Sequence, residues 1–138
     1  MPIQSVLMIR ASLIYLLAVF GLGGLMLANK AVDLHPSFIS FTQIHIELGL
    51  FGWLLQFIMG TAYWMLPRYL KGPKRGNNAI AWFMVVLLNG GIGIYLLSLL
   101  GLFSDYGLLA GRCMELLAVA CFIVLHWNRV VPYRRGQR

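Results

Sequence analysis

Four long apolar runs dominate this sequence, at about 6–28, 39–66, 79–102 and 106–127. Each is long enough to cross the ~30 Å hydrocarbon layer of a bilayer as a helix. A chain that crosses lipid must satisfy its backbone amides internally, which leaves helices or a closed barrel. Nothing in these runs alternates with period two, so helices are expected. The linkers "NKAVDLHPS", "PRYLKGPKRGNN" and "FSD" are short. Short connections make sequential helices antiparallel. The expectation is an all-α integral membrane protein, an up-down four-transmembrane-helix bundle forming one domain over residues 1–138.

Charge then sets direction. Only four residues are acidic, and most of the eleven Lys and Arg cluster at the ends of apolar runs. The second linker carries Arg68, Lys71, Lys74 and Arg75, and the tail carries Arg129, Arg134, Arg135 and Arg138. The first and third linkers hold only Lys30, Asp33 and Asp105. The positive-inside rule therefore places the second linker and both termini in the cytoplasm, in a bacterial or archaeal cytoplasmic (inner) membrane. Trp64, Tyr69, Trp127 and Tyr133 fit an interfacial aromatic belt near the same ends. Clustered this way, the basic residues make no stripe for nucleic acid; the expected partner is lipid. Arg10 and the apolar run to Leu27 imitate a signal peptide, but the run is long and "LANKAVD" is a poor cleavage site. It reads as a retained first span. Cys113 and Cys121, eight positions apart in one run, would stand ~12 Å apart on a helix and cannot pair. They read as structural thiols.

Titratable groups inside the spans carry what functional signal there is. His45 opens the stretch "QIHIELGLFGW", about two turns below the expected outer surface. Steps of four, three, four and four lead from it to Gly49, Gly52, Gln56 and Gly60, which share one helix face. That face has two readings. Small residues let another helix approach closely; alternatively, His45 is an axial ligand and the glycines leave room for a porphyrin. Glu47, two positions on, points away from this face. Arg112 and Glu115, three positions apart, can pair along the fourth helix. Arg112 lies at a depth similar to His45, so it suits either a haem propionate or an ion pair with Glu115 and Glu47. His126 lies about 20 Å deeper than Arg112 and reads as an interfacial histidine beside Trp127. A sixth iron ligand has four candidates: Met114, Met26, His35 in the first linker, or His45 of another subunit.

The run "IHIELGLFGWLLQFIMGTAYWMLPRY" resembles the second transmembrane helix of haem–copper oxidase subunit I, most closely the cbb(3)-type oxidase and nitric oxide reductase branch. The likeness rests on His45, Trp53, Gly60, Tyr63 and Pro67. The preceding "RASLIYLLAVFGLGGLMLANK" is similar to the family's first helix. The resemblance implies that His45 is an axial ligand of haem b. It also implies what is missing: the family's copper ligands and high-spin haem ligand come from later helices with no counterpart here. Copper and a complete oxidase or reductase activity are therefore not expected of this chain alone.

The leading expectation is a small membrane cytochrome b, with haem b held through His45 and a pocket of Gly49, Gly52, Gln56 and Arg112. Its work would be electron transfer or diatomic-gas (NO or O2) sensing, and it would act as a homo-oligomer. The alternative is a haem-free accessory or assembly subunit of a respiratory membrane complex. Its glycine faces, including "NGGIG" at Asn89–Gly93, would then be docking surfaces. A proton-coupled exporter is the weakest reading, since the first span holds no carboxylate.

Overall fold

The structure is a computed structural model. It describes residues 1–32, 41–67 and 75–130, with the backbone alone at Asp105. His35, Tyr69, Tyr133 and the charges Asp33, Arg68, Lys71, Lys74, Arg134, Arg135 and Arg138 lie outside the described residues. Four helices are long and apolar enough to cross a membrane, and no strand occurs among the described residues. They are α1 (Ile3–Val32), α2 (Phe41–Met65), α3 (Asn78–Leu99) and α4 (Asp105–His126).

Local chemistry sets several of the helix ends. Asn77 caps α3, its side chain accepting from the Ala79 amide at 2.9 Å. The apolar run continues to Leu102 and Phe103, yet the helix stops at Leu99. Gly101 takes a φ of +77°, its N–H donates to Ser98 O at 3.0 Å, and the Leu102 N–H donates to Leu97 O at 3.0 Å. These two bonds satisfy the last carbonyls of the helix, and only a glycine enters that left-handed conformation readily. At the other end of the molecule α4 tightens into a 3₁₀ turn, Trp127–Arg129.

The second span is not a uniform α-helix. It is α-helical over Phe41–Glu47, π-helical over Leu48–Leu55 and α-helical again over Gln56–Met65. A π segment widens the helix and shifts its register. Its position, directly after His45 and Glu47, bears on the site below.

Sequential helices run antiparallel, as expected. Along the α1–α2 seam Gly23 faces His45, Tyr15 faces Gly52 and Met8 faces Gly60. Helices α3 and α4 approach closely at Gly91 and Gly111, where a Cβ added to Gly91 would stand 2.8 Å from the Gly111 carbonyl oxygen. Met8, Met59, Met84, Leu88, Ile92 and Ala118 form the apolar interior. The first helix is peripheral: only Gln4, Ser5, Met8 and Ser12 are buried, all in its first half.

Polar side chains tie the helices together. Gln4 Nε2 donates to Asn78 Oδ1 at 2.6 Å, and both Tyr15 Oη (3.3 Å) and Gln56 Nε2 (3.1 Å) donate to Asn89 Oδ1. Such interhelical bonds contribute about 0.6 kcal/mol each in membrane helices, reaching ~1–2 kcal/mol in the best cases. The largest tie is Arg129. Its Nε donates to Pro67 O at 3.0 Å, and its Nη2 to Leu66 O at 2.7 Å and Tyr63 O at 3.2 Å. A guanidinium with five donors can satisfy several carbonyls at a helix C-terminus at once. Arg129 is thus no solvated member of the basic tail; it is buried and closes α2.

Candidate functional site

The outer quarter of α2, as the sequence orients it, presents two different chemistries on two sides. On the side of α1, the His45 imidazole sits beside Gly23, where an added Cβ would lie 3.0 Å from its Cε1. The ring is half-buried, and its Nδ1 is buried with no hydrogen-bond partner among the described residues. Below it opens a groove of about 510 Å³ lined by Val19, His45, Ile46, Gly49, Leu50, Trp53 and Leu54. The groove carries no charged residue, and Ile46, Leu50 and Leu54 face out of the protein.

On the side of α4 lies an ion triad. Arg112 Nη2 meets Glu47 Oε2 at 2.6 Å, and Nη1 donates to Glu115 Oε2 at 2.7 Å. The guanidinium is held between two rings, with its carbon 3.9 Å from the centre of Tyr95 and 4.6 Å from that of Phe51. Cation–π contact of this kind adds to the charge pairing. Both glutamates are 1% exposed, whereas the Arg112 side chain keeps 38% of its surface open. Glu47 Oε1 and Glu115 Oε1 have no hydrogen-bond partner among the described residues. The role of Glu47, which its distance from the glycine face leaves open in the sequence, is therefore to join α2 to α4 through Arg112.

His45 and Glu47 both stand in the α-helical stretch just above the π segment. Residues two apart on an α-helix already diverge by ~200°. With the chain widened just below, His45 is turned to α1 and Glu47 to α4. π-Helical turns occur frequently at functional sites, and the sequence carries no signal for this one. Finding it would take the register of the contacts on both faces.

The expected site residues do not all converge. Gly49 borders the groove beneath His45. Gly52 and Gly60 are filled from α1: added Cβ atoms would lie 2.8 Å from Tyr15 Cγ and 2.9 Å from Met8 Cβ. Gln56 is fully buried and bonded to Asn89. The lower part of the glycine face is thus helix packing, the first of the two readings given above. Arg112 is engaged in the triad, on α4. Met114 points at α3, its Cε 2.9 Å from where a Gly90 Cβ would stand. Met26 lies one turn beyond Gly23 on α1, half-buried. Among the described residues, no three His, Cys, Asp or Glu side chains gather as a metal site.

His126 ends α4 beside Trp127 with its ring turned inward. It is 3% exposed, its Nδ1–H donates to Phe122 O at 2.7 Å, and it packs edge-on against Tyr63 with ring centres 5.7 Å apart. The curl of the chain into the 3₁₀ turn brings Arg129 and His126 inward together, while Trp127 remains exposed. Cys113 is exposed on the outer face of α4 and Cys121 half-buried, both as free thiols.

Comparisons with protein families, with curated proteins and with solved structures give no match.

Proposed function

We propose that this chain is a multi-pass protein of the cytoplasmic membrane, with both termini in the cytoplasm, that holds haem b through His45. One observation carries the reading. A half-buried imidazole, packed against Gly23, stands at the rim of an uncharged groove that Gly49 borders below it. The residues fit half of a haem site: one axial imidazole, an apolar slot, and the aromatic Trp53 along its wall. The resemblance to the second helix of haem–copper oxidase subunit I supports the same assignment.

When bound, haem b would supply one-electron chemistry or a position for a diatomic gas. The chain's own part is to present the imidazole, to exclude water through Val19, Ile46, Leu50 and Leu54, and to fix the angle of α2. The Glu47–Arg112–Glu115 triad does the last of these from the opposite side. It positions the helix; it does not touch the slot.

The test is an absorption spectrum of the purified protein, oxidised and then reduced with dithionite, after expression with ample haem. Reduced haem-b bands are expected, and His45→Ala should abolish them while the protein keeps its helical circular dichroism. A colourless wild-type protein would sink the reading. It would leave the alternative of a haem-free subunit docking in a respiratory complex. That alternative is favoured by Gly21, Gly24 and Gly93, each with open space beside it. By contrast Gly90 and Gly91 of "NGGIG" are already filled by α4.

A further inference from the structure

We infer that the basic end of the bundle holds a binding site for an anionic phospholipid, with Arg75 taking the phosphate and the groove at Trp127 taking an acyl chain. The inference uses the membrane reading of the chain and is independent of haem. Three observations lead there.

The first is a cation whose donor is unmatched. Arg75 Nε is buried and has no hydrogen-bond partner among the described residues. Its place is fixed by Gly76, which takes a φ of +85° and whose added Cβ would stand 3.0 Å from Leu125 Cδ1. Only a glycine enters that conformation readily, so the turn sets Arg75 against the end of α4. Arg75 and Arg129 both act by charge on the Tyr63 phenol, which also meets the His126 ring edge-on. No Asp or Glu occurs in residues 1–32, in residues 48–104 or after 115. The segments that build this end of the molecule therefore carry no carboxylate side chain. A buried donor left unsatisfied is costly, and an oxyanion from outside the chain would satisfy it.

The second is an apolar groove next to this cluster. It measures about 550 Å³ and is lined by Ile123, His126, Trp127 and Val130. Ile123, Trp127 and Val130 are exposed, while His126 is buried and turns its Nδ1–H to Phe122 O. Such a groove alone would accept any hydrocarbon. The charge at its head selects the occupant.

The third is complementarity. The chain carries a formal net charge of +7, and basic pockets between membrane helices on the cytoplasmic side bind anionic headgroups. Guanidinium–phosphate bonds are charge-assisted and among the strong ones. A free phosphate would leave the groove bare. A zwitterionic lipid would bring its own cation to a place that already holds two guanidinium groups, Arg75 and Arg129. One anionic phospholipid meets both demands.

The experiment titrates the purified full chain in detergent with phosphatidylglycerol, phosphatidylcholine and inorganic phosphate. Binding is read by native mass spectrometry and by the midpoint of thermal unfolding. One phosphatidylglycerol per chain is expected to be retained in preference to phosphatidylcholine and to raise the midpoint, with no effect of inorganic phosphate. Arg75→Gln should weaken phosphatidylglycerol binding about ten- to a hundredfold, as expected for one lost bond to a charged group. Arg10→Gln, which removes an exposed arginine on α1, should leave it unchanged. Circular dichroism checks that both variants are folded. A photoactivatable phosphatidylglycerol on the wild-type chain gives an independent reading, with label expected within residues 123–130.

Equal retention of the two lipids would reduce the groove to ordinary lipid contact and overturn the site. Displacement of phosphatidylglycerol by inorganic phosphate would reassign Arg75 to a soluble anion. Equal losses in the two arginine variants would trace the binding to the overall positive field instead. Label spread evenly over the helices would reject the site whatever the variants show. A colourless protein can give every one of these results, so the haem reading and this one fail separately.

Discussion

Arg112 illustrates how strongly a buried charge depends on its company. One guanidinium serves two carboxylates that are themselves 1% exposed. Removing one carboxylate leaves a one-to-one pair; removing the guanidinium leaves two buried acids without a cation. Breaking a buried pair from one side costs on the order of 3–5 kcal/mol. Arg112→Gln should therefore lower the unfolding temperature in detergent far more than Glu115→Gln, and the double variant should recover part of the loss. Equal effects of the two single changes would mean that the triad does not act as a unit. Half of this arrangement could be read from the sequence: Arg112 and Glu115 are three apart on one helix, and a lone charge in lipid needs a partner. The link from Arg112 to Glu47 was one of two pairings the sequence offered, the other being a haem propionate, and choosing between them depends on how α2 and α4 meet. Arg129 was hidden for a different reason. A basic residue at the end of a span looks the same in sequence whether it faces water or turns inward to bind three carbonyls.

The helices themselves were plain in the apolar runs, to within a few residues at each end. What escaped was their internal geometry. A π-helical segment has no composition of its own, since Leu48–Leu55 is as apolar as any α-helical span. Deleting Leu50, which faces outward, should relax this segment toward α-helical spacing. The part above it would then turn by ~100°, one residue's worth of helix. Helix content by circular dichroism should hold, while both the proposed haem binding and the stability supplied by the triad fall. Retention of both would mean that the π register has no role in placing His45 and Glu47. The α3–α4 seam allows a simpler check. At Gly91 an added methyl would meet a backbone oxygen, which cannot swing aside as a side chain can. Gly91→Ala should cost about 1–3 kcal/mol by overpacking, measured as a drop in midpoint during denaturant unfolding. Gly93→Ala, with open space around it, is the matched control.

The molecule as a whole is polarised. In the sequence its four acids, Asp33, Glu47, Asp105 and Glu115, fall in or near the first and third linkers, while the basic residues cluster in the second linker and the tail. The proposed orientation follows from that asymmetry and is open to direct labelling. With Cys113 and Cys121 replaced by Ser, a membrane-impermeant thiol reagent should reach Ser104→Cys in intact cells and Asn77→Cys only after the membrane is opened. The reverse pattern would turn the protein over and put His45 near the cytoplasm. The same polarity explains why function was harder to read than fold. Fold follows from apolar length and charge placement, which each chain carries openly. A binding site depends on which side chains the packing brings together, and His45 and Arg112, at similar depth in the sequence, end on opposite sides of α2.

The tie from Arg129 to Tyr63, Leu66 and Pro67 spans 62 to 66 residues of chain. A ribosome delivers the acceptors long before the donor. Until Arg129 has been made, the last carbonyls of α2 must find other partners. The 3₁₀ turn that follows α4 thus completes a helix begun half a chain earlier. Assembly is finished at one moment, and a nascent chain stopped before residue 129 should be recognised as incomplete.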